Sequence, residues 1–361
     1  NKVVRKYLFL YIWADFNCPI IMKMNLLKTS CFIVLLQTSL AFTAHAQFGG
    51  LKDKLISAGS AVASKALGVD KILKQPAAIT TSFEDVDKTG SKLPDFKANE
   101  KAQPLYLLPK APDGGYVLCE GFYEMTTKSY CLMAGTFAPS SGDGYMYAPT
   151  LGPKEEIVTT ILKNAEKHPE VHQHDIQMLL WAIIARTKFA DYSGQIKLTA
   201  ITLLSPQDLL KLEGGALGIL PGNIMEKAKS KLPEGIQTIF EAENQIRKLV
   251  ASGNYSYAEM EKYAIIAGFA PPRTDVPSGI WTLHPDGYYV RYFPSGYSIT
   301  KVQIYVPKEL LLNSNGKRII YDATNDIACP ANVGSQRLAQ TNEPLNPDYK
   351  LKLKLFCAGI E

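Results

Sequence analysis

Three histidines fall within seven residues, at His168, His172 and His174, with Glu170 and Asp175 between and beside them. Imidazoles next to a carboxylate can hold zinc or another divalent metal, which activates a bound water for hydrolysis. Read this way, His168, His172 and His174 are metal ligands, and Asp175 completes the site of a secreted hydrolase of esters, lactones or glycans. The same residues also suit a solvated loop beside Pro169, with Asp175 capping the next helix and no cofactor required. A strand would align His172 with His174 and a helix His168 with His172, so no single element presents all three. His284-Pro-Asp286 joins an imidazole to a carboxylate, but Pro-Asp-Gly287 is ordinary turn chemistry. No nucleophile elbow, phosphate loop or dinucleotide fingerprint occurs, which weighs against serine hydrolases of that type and nucleotide enzymes.

Thiols are the second resource. Cys119, Cys131, Cys329 and Cys357 come after a leader-like segment, and in an oxidising compartment four cysteines allow three pairings. If Glu120 to Tyr130 folds as a hairpin, Cys119 and Cys131 become cross-strand neighbours and Cys329–Cys357 forms the second bridge. Free buried thiols are the alternative. The segment Ser129-Tyr-Cys-Leu-Met-Ala-Gly135, succeeded by a Gly-rich loop and then the helix Asp175-Ile-Gln-Met-Leu-Leu-Trp-Ala-Ile183, resembles the thioester domains of bacterial surface adhesins. In that family a Tyr-Cys-aliphatic segment and a Gln-x-x-aliphatic-Trp helix supply the two halves of an internal crosslink. The resemblance covers roughly residues 129–184. It assigns the thiol to Cys131 and the carboxamide to Gln177, with Trp181 one helical turn further along the same face. It implies an acyl-thioester stored for an amine or hydroxyl on a target surface. Ile176 and Leu179 stand where that family usually has threonine and a small residue.

These groups need elements to position them. Leu51, Leu55, Ala58, Val62, Ala66 and Leu67 recur at three- and four-residue steps, which predicts an amphipathic helix over Phe48–Lys74. Short β-like runs come next at 79–83, 105–108 and 116–119. Residues 153–252 read as helices: one opened by Pro153 and early acids, one started by Ser205-Pro-Gln-Asp, and one over Asp175–Lys188 so apolar all round that it must be buried. The Gly/Pro-rich stretch 268–279 marks a boundary. Beyond it, Ile280–Leu283, Tyr288–Phe293 and Ser298–Val306 form an antiparallel meander, and Lys350–Phe356 alternates as a strand with lysines on one face. The meander's aromatics (Trp281, Tyr288, Tyr289, Tyr292, Phe293, Tyr297, Tyr305) would stack carbohydrate if they shared an exposed face, and pack the core otherwise.

The fold class expected is α+β: a mixed β/helical body with a buried central helix, followed by a C-terminal antiparallel β domain. The expected segments are 1–21, an upstream or artefactual stretch; 22–46, a signal peptide; 47–75, the N-terminal helix; 76–268, a β-then-helical domain; and 269–361, the β domain. The leader rests on basic Lys23 and Lys28, an apolar run from Cys31 and the small-x-small exit Ala44-His-Ala46. Of 361 residues, 46% are hydrophobic and 20% charged, the profile of an ordinary globular protein. Residues 1–46 hold five of the 39 basic residues and one of the 34 acids, so the remainder is near neutral and lacks the concentrated positive surface that nucleic acid requires. The function expected is a secreted or cell-surface binding protein, periplasmic, surface-bound or extracellular, with a surface protein or polysaccharide as partner and no transmembrane span after the leader.

Overall fold

The computed structural model describes residues 69–89, 99–314 and 316–348. The segment 1–21, the leader, most of the N-terminal helix and the lysine-faced strand at 350–356 lie outside the described residues. Within the stretch expected to be helical, only Val69–Leu73 is described as a helix, α1, with Ile72 buried.

Strands β1 (Gln103–Pro104), β2 (Tyr116–Val117), β3 (Gly121–Cys131), β4 (Thr136–Ala138) and β5 (Tyr145–Pro149) come first. Helices α2 (Glu155–Lys167), α3 (Gln173–Ile184), α4 (Gly194–Leu203), α5 (Pro206–Glu213), α6 (Gly222–Lys229), α7 (Glu234–Ser252) and α8 (Tyr257–Ala264) come next. The chain then returns to strands β6 (Ile265–Phe269), β7 (Thr282–Leu283), β8 (Tyr289–Ser295) and β9 (Ile299–Val306). A short helix α9 (Lys308–Asn313) precedes β10 (Ile320–Tyr321), β11 (Asp326–Pro330) and β12 (Leu338–Pro344).

The main sheet runs β5-β11-β12-β3-β9-β8-β7, antiparallel throughout, with β1 pairing in parallel with β3. It curls until its ends meet. The Tyr147 N–H donates to Thr282 Oγ1 at 3.3 Å, and the Tyr147 ring packs on His284 with centroids 4.4 Å apart. The result is a nearly closed barrel lined by Tyr123, Tyr145, Tyr147, Tyr288, Tyr292 and Tyr321. A second core lies between the sheet and the helices, centred on α3, whose residues from Ile176 to Ile184 are all buried. An apolar face on every side leaves a helix no solvent-compatible position, so it becomes the axis around which α2, α4, α7 and α8 pack. Among the described residues no helix is long and apolar enough to cross a membrane.

The α+β class, the buried central helix, the helical stretch and the meander are present as expected. Three local readings are corrected. Residues 79–83 and 105–108 are not strands: 3-10 turns occupy Phe83–Asp85 and Leu105–Leu107, the first capped by Ser82 and Asp85. The stretch 120–130 is no hairpin, because β3 runs unbroken for 11 residues: its β-branched and aromatic side chains favour extension and no turn pair interrupts them. The Gly/Pro stretch at 268–279 separates no domains, because β3 sits between β12 and β9 in the sheet and the described residues fall in one unit. Sequence punctuation marks where regular structure stops; long-range strand pairing decides whether a domain stops with it.

Glu166 ties α2 to the barrel by accepting the Asn342 N–H at 2.6 Å. Burial pushes its pKa up to about 7, so the fold favours the protonated acid. The stability held there is therefore lost as pH rises from the ordinary value of 4.5 through about 7. In Glu166→Gln, whose amide keeps an acceptor for Asn342, melting temperature should fall less than in the wild type across that window and run parallel outside it. A constant offset between the two proteins would refute this.

Candidate functional site

The site grows from a match of two repeats. Gln173 and Gln177 are four residues apart on α3, a climb of about 6 Å. Ser129 and Cys131 are two apart on β3, a separation of about 6.8 Å. With the helix lying along the strand end, each glutamine meets one strand residue. Gln173 Nε2 donates to the carbonyls of Ser129 at 3.1 Å and Ser298 at 2.8 Å. Gln177 Oε1 accepts the Cys131 N–H at 2.8 Å, and its Nε2 donates to the Cys131 carbonyl at 3.1 Å. The Gln177 carboxamide and the Cys131 backbone thus close a two-bond ring, with Cys131 0% and Gln177 2% exposed.

Beyond Cys131 the chain must turn beneath α7. It does so at Gly135, in the left-handed region (φ +69°), where a Cβ would stand 2.9 Å from Ala242 Cβ and 3.0 Å from the Thr238 carbonyl. Only glycine meets both demands without displacing the helix.

Cys131 is a free thiol. Burial, reinforced by the nearby Glu261 carboxylate, pushes it well above the ordinary thiol range, which favours a neutral, buried S–H. Over the pair lies an aromatic cover. His174 and Trp181 stand three residues before and four after Gln177, hence on its helix face. The Tyr257 ring stacks on His174 with centroids 3.9 Å apart and meets Trp181 at 5.3 Å, spanning that face. The Tyr257 and Tyr297 hydroxyls are 2.8 Å apart, and Tyr297 donates to Glu261.

Both expected bridges are absent. Cys131 and Cys329 are free and buried, so neither Cys119–Cys131 nor Cys329–Cys357 forms. A continuous β3 puts Cys119 and Cys131 on the order of 35 Å apart, at about 3.3 Å per residue, whereas a disulfide needs Cα atoms within about 7 Å. Cys119 is disulfide-bonded to neither of the free thiols.

The histidines diverge. His168 Nδ1 lies 2.8 Å from Glu170 Oε1; His172 is the exposed N-cap residue of α3 with no side-chain cap; His174 stacks on Tyr257; and Asp175 accepts Gln195 Nε2 at 3.1 Å. Among the described residues no group of three His, Cys, Asp or Glu side chains is placed to hold a metal. His284 closes its turn as expected, its Nδ1 accepting the Asp286 N–H at 3.1 Å. Its ring also plugs the barrel seam between Tyr147 and Tyr288. The meander aromatics share no single face: Trp281, Tyr288 and Tyr292 are buried, while half-buried Tyr289 and Tyr305 stack on each other at 6.2 Å.

Tyr257 and Glu261 are not legible as site residues from the sequence, and Tyr297 is legible only as one of the meander aromatics. They lie on α8 and in the β8–β9 turn, and the Ser256–Glu259 capping box announces a helix start and nothing about its neighbours. No protein-family model, no curated protein and no solved structure matches this chain.

Proposed function

We propose that this chain is an exported surface-binding protein in which Cys131 and Gln177 join as an internal thioester that captures a partner covalently. The observation that carries this reading is the hydrogen-bonded ring between the Gln177 carboxamide and the Cys131 backbone. The Cys131 N–H draws electron density from the carboxamide carbon, as an oxyanion-hole donor does. The thiol sulfur attacks that carbon, the C–N bond breaks, and the thiol proton leaves with the amide nitrogen as ammonia. The product carries no charge, which suits burial, and the dry surroundings protect it from hydrolysis. An amine or hydroxyl on a surface protein or polysaccharide would then take the acyl group and return the thiol to Cys131. The leader-like segment at 22–46 and the disulfide at Cys119 favour an oxidising, exported setting.

Intact mass tests the reading. The native protein should be one ammonia lighter than its sequence requires, should gain one methylamine on treatment, and should show neither change as Cys131→Ala. A native chain of full mass, with an alkylatable Cys131 and no methylamine uptake, would overturn it.

A further inference from the structure

A stored thioester has two opposed requirements: water must be kept out, yet a nucleophile must reach the acyl carbon. Cys131 and Gln177 are buried, whereas Tyr257 above them is only half-buried and its neighbours Ser256, Ala258 and Glu259 are exposed. Its ring, held between His174 and Trp181, lies across the helix face from which Gln177 projects. Its hydroxyl ends a hydrogen-bond chain. Because the Tyr297 O–H goes to Glu261, the Tyr257 O–H donates to the Tyr297 oxygen, so two residues one turn apart on α8 are joined through the β8–β9 turn. Met260 and Ala264 fix α8 in the core at 0% exposure, so a motion that opens the site falls to the Tyr257 side chain rather than to the helix.

We propose that Tyr257 is a positioning residue that controls access to the acyl centre: latched through Tyr297 to Glu261 it excludes water, and unlatched it admits the nucleophile. This role rests on the thioester reading above. It predicts that opening, not chemistry, limits capture. An incoming cation that competes for Glu261 would release the latch from outside, coupling arrival of a partner to exposure of the bond.

The test is the lifetime of the ammonia-light species, measured by intact mass in water and in methylamine. Tyr257→Phe and Tyr297→Phe cut the same chain at different points while keeping both rings. Each should shorten the lifetime about fivefold, the effect of one net hydrogen bond on a closed–open equilibrium, and the double variant should do no more than either. Tyr257→Ala, which removes the cover, should go further, and its methylamine uptake should rise linearly with methylamine where the wild type reaches a plateau. Wild-type lifetimes in all of these variants, or additive effects of the two Phe substitutions, would overturn the latch while leaving the thioester standing. A wild-type chain of full mass would overturn the thioester and the latch with it.

Discussion

Gln177→Ala is expected to abolish the ammonia-light species and to lower unfolding free energy by on the order of 5–6 kcal/mol. Two contributions combine. The proposed covalent bond, between residues 46 apart in sequence, would restrict the unfolded chain by about 4 kcal/mol, on the loop-closure relation used for disulfides. Loss of the acyl oxygen also leaves the Cys131 N–H, at a residue with 0% exposure, without its partner, at about 1 kcal/mol or more; the Cys131 carbonyl has already lost its Nε2 donor as ammonia in the crosslinked chain. Cys131→Ala separates them, because it removes the crosslink and keeps the carboxamide, which then makes both hydrogen bonds of the ring. It should cost about 4 kcal/mol, roughly 1–2 less than Gln177→Ala. Urea titration of the wild type, both variants and the methylamine-treated wild type measures all of these. If Cys131→Ala costs only about 1 kcal/mol, the value for trimming one buried sulfur, no crosslink contributes.

Glu243→Ala is expected to cost about 3–5 kcal/mol, because it strands two buried cations. Arg186 closes α3 in the left-handed region (φ +58°), and its guanidinium meets Glu243 Oε2, which also faces Arg247 Nη1 at 3.7 Å. Arg247 is 1% exposed and donates from Nη1 to the Ala185 carbonyl at 2.6 Å and from Nη2 to Asn244 Oδ1 at 3.3 Å. Burial draws its pKa down to about 10 even with Glu243 opposing the shift. The network pins α7 to the end of α3, the helix that carries Gln177. Removing one carboxylate therefore loosens the site from behind and leaves uncompensated charge in the core. Glu243→Gln, which keeps shape and an acceptor oxygen, should lose less. A cost for Glu243→Ala below about 1 kcal/mol, read from urea unfolding, would show that the cations find water instead.

How much of the fold is legible in the sequence depends on the range of each signal. The apolar periodicity of Ile176 to Ile184 is local and identifies the buried central helix, as alternation and turn chemistry identify the meander. The capping pattern at Ser205 to Asp208 is equally local and is present as a reciprocal cap. The β-like runs at 79–83 and 105–108 are too short to tell strand from 3-10 turn, and the distant strands available to pair with each run decide the outcome. The cysteine pairings are obscured for the same reason: adjacency of Cys119 and Cys131 requires a turn that β3 does not make.

By itself, the order of residues determined the α+β class, the central helix, the meander and the two side chains, Cys131 and Gln177, whose types permit acyl chemistry. Only the tertiary structure decided that these two meet, that the three histidines part, that β3 joins both halves of the chain in one sheet, and that Tyr257, Tyr297 and Glu261 stand over the pair. The division has a physical cause. Periodicity and capping act over one or two turns and leave a record in neighbouring residues. The meeting of Cys131 with Gln177 depends on a helix rise that matches a strand spacing across 46 residues, a coincidence of two geometries that no stretch of chain contains alone.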